Sequence, residues 1–127
     1  MSISNFNDLL VAAKQQPEPH RLLFLFAQSV ITSSESGQNR GTITPMTCVD
    51  KLPSELTTFD QLVQEADQIK PGWNFVFIAS LPGVNGKEPT SEDASSHLED
   101  MTNSLARGQN MSKYVVFDRE EKPIFFN

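Results

Sequence analysis

A single cysteine, Cys48, in a chain of 127 residues leaves nothing for it to pair with internally. An intrachain disulfide is excluded, and the fold must rest on its own core. The same scarcity fits a reducing compartment. The N-terminal stretch Met1 to Asn5 has neither basic residues nor an apolar run of leader length. The longest apolar run, Leu22 to Ala27, is far too short to cross a bilayer. A soluble protein of the cytoplasm is the expectation.

Basic residues are few and scattered. There are ten Lys and Arg against sixteen Asp and Glu, a formal net charge of −6, and no two basic residues are adjacent. Nucleic-acid binding needs clustered cations to neutralise phosphates, and attachment to an anionic membrane needs the same. Both are disfavoured. Two histidines, His20 and His97, and one cysteine stand at unrelated positions, which is a poor donor set for zinc. Gly-x-Ser-x-Gly and Gly-x-Gly-x-x-Gly are absent, so neither a nucleophile elbow nor a dinucleotide fingerprint is present. Neither a catalytic set, nor a metal site, nor a cofactor is expected.

What the chain does have is an ordinary globular composition. Its length is close to that of one domain and is enough to hide roughly two-thirds of the unfolded surface. Phe6, Leu9, Leu10 and Ala13 recur at helical spacing after Ser4, a candidate cap, and Pro17-Glu18-Pro19 ends that helix. Arg21 to Val30 is apolar on both faces and reads as a central strand covered on both sides. Ile31 to Gly41 is polar and reads as a mobile loop. Thr42 to Asp50 reads as a second strand, with Pro45 placing it at an edge or at a bulge.

Thr58 and Gln61 have capping-box spacing ahead of a stripe of Phe59, Leu62, Val63, Ala66 and Ile69. Trp73 to Leu81 is the second strongly apolar strand. Thr90 or Ser91 caps a third helix lined by Ala94, Leu98, Met101 and Leu105, with Gly108 as its stop. Lys113 to Asp118 and Pro123 to Phe126 close the chain as a hairpin. Strands alternating with amphipathic helices imply βαβ crossovers. The expected fold is therefore α/β (mixed α+β), one domain over residues 1–127. About three helices pack on a mixed sheet of about five strands, in the order α-β-β-α-β-α-β-β.

The nearest thing to a motif is Gly83-Val84-Asn85-Gly86-Lys87, between a buried strand and a helix. Amides at a helix N-terminus attract anions. The P-loop spacing fails, however, since its first glycine falls at Leu81 and Glu88 follows the lysine. What remains is a turn, or a looser anion or small-ligand site using Gly83, Gly86, Lys87, Thr90 and Ser91. Asp50 and Lys51 would join it if the second and third strands are parallel neighbours. Cys48 shares a face with Met46 under simple alternation and reads as a buried thiol. Glu92, Asp93, Glu99 and Asp100 read as a solvated acidic face, and Asp118-Arg119 as a turn.

Four stretches together carry a resemblance: Gln16 to Phe24, Met46 to Lys51, Asn74 to Ala79 and Val116 to Arg119. They resemble a small bacterial protein family, some members of which carry the label "ribonucleotide reductase subunit alpha". The resemblance spans nearly the whole chain. The label fails a physical check, because that catalytic subunit needs a large barrel, a radical cysteine and a separate cysteine pair. The resemblance therefore implies a family without an assigned activity and transfers no site residues.

Two functional readings follow. The first is a non-catalytic binding or protein-interaction module, whose partner is a second copy or another protein. The alternative is a small-ligand or anion-binding protein, or a small enzyme, built on the loop from Gly83 to Ser91.

Overall fold

The computed structural model describes residues 5–16, 19–33, 39–56, 58–107 and 114–124. Helix α1 spans Phe6–Lys14 and is followed by strands β1 (His20–Ser33) and β2 (Asn39–Lys51). A 3-10 turn at Pro53–Glu55 leads into α2 (Phe59–Ile69) and β3 (Phe75–Pro82). Helix α3 (Ser91–Ala106) and β4 (Val115–Asp118) complete the order.

The helices begin where local chemistry caps them. Asn5, not Ser4, caps α1, its side chain accepting from the Asp8 N–H. Thr58 caps α2 by accepting from the Gln61 N–H. At α3 the capping is reciprocal: Thr90 accepts from the Asp93 N–H while the Asp93 carboxylate accepts from the Thr90 N–H. Gly108 and the Pro17-Glu18 pair lie outside the described residues.

The strand order is β2-β1-β3-β4, and every neighbouring pair is antiparallel. β1 and β3 hold the centre, as their two-sided apolar runs require. Alternation along β1 sends Leu22, Phe24 and Phe26 to one face and Leu23, Leu25 and Ala27 to the other. The first face packs against α1 and α2, through Phe6, Leu9, Leu10, Phe59, Leu62 and Ala66. The second packs against α3, through Ala94, Leu98, Met101 and Leu105. Helices thus cover an antiparallel sheet on both sides.

The mixed α+β class holds. Among the described residues, however, the sheet has four strands, against about five expected, and no parallel pair. β2 and β3 run in the same direction, as a crossover through α2 demands, yet β1 lies between them and pairs with both. The described part of the last expected strand makes a Phe117–Pro123 bridge and an Ile124 N–H bond to the Val116 carbonyl. Residues 125 and 126 lie outside the described residues.

The polar stretch 31–41 does not form a loop throughout. Ile31, Thr32 and Ser33 pair with Gly41, Arg40 and Asn39, so the β1–β2 ladder runs through it. Main-chain pairing of strands needs no apolar side chain. Residues 34–38 of the expected loop lie outside the described residues.

Pro45 marks both an edge and an irregularity. Ala27 pairs with Pro45 and Phe26 with Thr47, which leaves Met46 as the extra residue of a bulge.

Candidate functional site

Asp50 sits opposite Leu23 on the α3 side of the sheet, and Arg21 lies two residues earlier on β1. The Arg21 Nη1 reaches the Asp50 Oδ2 at 2.5 Å, and its Nε donates to the Pro89 carbonyl at 2.8 Å. The Ser91 hydroxyl donates to the same Asp50 oxygen at 3.1 Å. The structure thus joins Asp50 to Ser91, but across β1 and not between neighbouring strands. Lys51 is not part of this group. It points to the opposite face, where its ammonium pairs with Glu65 of α2 at 2.9 Å. Adjacent strand residues cannot serve one site from one face.

The loop from Gly83 to Lys87 is a closed hairpin. Val84 and Lys87 exchange both main-chain bonds, at 3.1 and 3.0 Å. Asn85 and Gly86 sit at φ 55° and 76°, the left-handed pair that a two-residue type I′ turn needs. The Gly83 N–H donates to the Pro19 carbonyl at 2.8 Å. A side chain at Gly83 would stand 2.2 Å from the Lys87 carbonyl oxygen and 2.7 Å from that of Pro19. The amides of Gly83, Val84, Lys87 and Thr90 are therefore already bonded within the protein. At the start of α3, the positive end of the helix meets the carboxylates of Asp93 and Asp50. An arriving anion meets two negative groups there. Lys87 and Glu88 are exposed.

Cys48 departs from its expected burial. The bulge at Met46 breaks the alternation, so Met46 packs on the α1/α2 side while Cys48 lies opposite Leu25 on the α3 side. There it is exposed. Partial burial, then the neighbouring Asp50 charge, push the thiol above its ordinary pKa. That is the reverse of what a reactive cysteine needs.

A groove of about 630 Å³ opens elsewhere, beside the outer half of β3. β1 pairs with β3 from Phe75 to Pro82, whereas β4 pairs with it only from Phe75 to Ile78. The chain bends at Tyr114, immediately before β4. Ala79 to Pro82 form the groove's floor. Leu9, Ala12 and Ala13 of α1 make one wall, and His97, Asp100 and Met101 of α3 make the other. His20 and Tyr114 also line it. Comparison with family models, with curated proteins and with solved structures finds no match.

The groove is thus mostly apolar, with a few polar groups at its margins, as binding sites usually are. No cluster of three or more His, Cys, Asp or Glu side chains suited to a metal occurs among the described residues. Sequence reasoning found His20 and His97 at unrelated positions and read them as surface histidines, one in a loop and one on a helix. Their shared groove gathers residues of α1, β1, β3 and α3, and no local motif encodes that meeting.

Proposed function

We propose that the protein is a non-catalytic binding module of the bacterial cytoplasm that holds a segment of a partner protein in the groove beside β3. One observation carries the reading: a groove of about 630 Å³ gathers side chains of α1, β1, β3 and α3, and among the described residues β4 pairs with β3 only from Phe75 to Ile78. The groove's lining is mostly apolar, with His20, His97, Asp100 and Tyr114 as the polar groups that could fix a bound segment. The alternative site, the loop from Gly83 to Ser91, is weaker support for ligand binding, because the amides of Gly83, Val84, Lys87 and Thr90 are already bonded within the protein.

Selection of a displayed random heptapeptide library on the 127-residue protein tests this reading. Enriched peptides are expected to shift the backbone amide resonances of Ala12, Ala79, Ser80 and His97. Failure to enrich any peptide, or shifts confined to another face, would overturn it.

A further inference from the structure

We infer that Asn85 is a self-modifying site: it loses its side-chain amide to attack by the next main-chain nitrogen, and the closed turn around it controls when that happens. The inference does not depend on what the groove beside β3 binds. The chain has eight asparagines, and only Asn85 is followed by glycine. Both residues are exposed, and nothing lies within 4 Å of where a Cβ at Gly86 would stand. The attacking nitrogen thus belongs to a residue with no side chain to obstruct it, at a place open to water.

The reaction needs only water. A solvent base takes the Gly86 N–H proton. The nitrogen's electron pair forms a bond to Asn85 Cγ, the Cγ–Nδ2 bond breaks, and Nδ2 leaves as ammonia after taking a proton from water. The five-membered imide then adds water at one of its two carbonyls. Opening at Cγ gives aspartate. Opening at the main-chain carbonyl gives isoaspartate, in which the main chain runs through Cβ and Cγ.

The turn holds the first step back. Ring closure needs the Gly86 nitrogen and the Asn85 Cβ on the same side of the Cα–C bond. Asn85 sits at φ 55° as the first inner residue of a type I′ turn, whose ψ sets the two nearly opposite. The Val84 and Lys87 main-chain bonds, at 3.1 and 3.0 Å, keep it there. The amide is exposed but out of line, and it reacts when the turn opens locally. The two products then diverge. Aspartate fits this turn as asparagine does. Isoaspartate adds one atom to the main chain of a two-residue turn, so the two bonds no longer close together. The Gly83 N–H bond to Pro19 and the adjoining His20–Pro82 pair lose their anchor. His20 and Pro82 also line the groove, so the modification reaches it.

The full chain and the capped peptide acetyl-Pro-Gly-Val-Asn-Gly-Lys-Glu-amide are incubated together at physiological temperature and mildly alkaline pH. Samples digested in acid are mapped by mass for amide loss and by enzymatic methylation for isoaspartate. The full chain is expected to convert at Asn85 before any other asparagine, and at least tenfold more slowly than the peptide. Its isoaspartate form should lose protection of the Gly83 amide against hydrogen exchange, while the Asn85→Asp variant should keep it. Equal rates in chain and peptide would overturn control by the turn. Earlier conversion at another asparagine, or none at Asn85 over a hundred peptide half-lives, would overturn the site itself. Gly83 protection that survives in the isoaspartate form would overturn the divergence of the products.

Discussion

The Arg119 guanidinium carbon lies 4.4 Å from the centre of the Trp73 ring, and both side chains hold Asp67. The Trp73 indole N–H donates to Asp67 Oδ1 at 3.0 Å. Arg119 donates to both carboxylate oxygens, at 3.0 and 2.6 Å, and to the Trp73 carbonyl at 3.3 Å. One cluster thus ties the end of α2 to the turn after β4, over a tryptophan that is 1% exposed. The pair is partly solvated, so its contribution is modest. Arg119→Ala is expected to destabilise by about 1 kcal/mol, from a screened ion pair plus the stacked cation. Urea unfolding followed by Trp73 fluorescence measures it. An unchanged midpoint would show that the cluster contributes nothing.

The same cluster sets an acid limit. The hydrogen bond from Arg119, above all, holds the Asp67 carboxyl below its ordinary pKa of 3.8. A depressed folded-state pKa means that the charged form is favoured by folding. The stabilisation is complete above the unfolded value and is lost as pH falls from about 4 through the folded value. Wild type and Asp67→Asn should therefore differ most at neutral pH, and the gap should narrow as pH falls below 3.8. Thermal unfolding of both across that range checks it, and a gap constant with pH would reject the assignment.

These side-chain links were not readable in the sequence, while much of the framework was. The helical stripes of α1 and α3 were readable because each apolar face repeats at three and four residues, and every position named on them is buried. β1 and β3 were readable as central because they lack alternation. Ile69, by contrast, the last residue of α2, is 55% exposed. Strand order was not readable. A crossover sequence is equally consistent with adjacent parallel strands and with a third strand between them, and only long-range pairing decides. Cys48 failed for a local reason: one extra residue at Met46 inverts the face of everything after it. The groove was invisible because its lining comes from α1, β1, β3 and α3, which only long-range packing brings together.

Two glycines in one turn separate steric need from conformational need. At Gly83 an added methyl would collide with two carbonyl oxygens of the main chain, neither able to swing aside. Gly86 has open space around it but sits at φ 76°. Gly83→Ala is expected to cost about 2–3 kcal/mol, as overpacking against backbone does. Gly86→Ala should cost about 1 kcal/mol, from the left-handed conformation alone. Chemical denaturation of the two variants gives the order, and the reverse order would show that the Pro19 and Lys87 carbonyls relax readily.

Asp50 receives Arg21 and Ser91 on one oxygen, so removing it leaves both donors without their acceptor. The Arg21 and Asp50 side chains are only 13% and 23% exposed, which limits replacement by water. Charge-assisted hydrogen bonds of this kind contribute about 1.5–3 kcal/mol, and an orphaned charge costs more than the pair yields. Asp50→Ala is therefore expected to destabilise by about 2 kcal/mol, and Ser91→Ala by less than about 1 kcal/mol, since the Arg21 bond survives it. In a double-mutant cycle, Arg21→Ala with Asp50→Ala should cost less than the sum of the single changes, because the second removes the charge stranded by the first. The cycle also bears on how the sheet holds the start of α3. If the single costs are simply additive, Arg21 supports α3 through the Pro89 carbonyl alone, and Asp50 is an onlooker at the helix terminus.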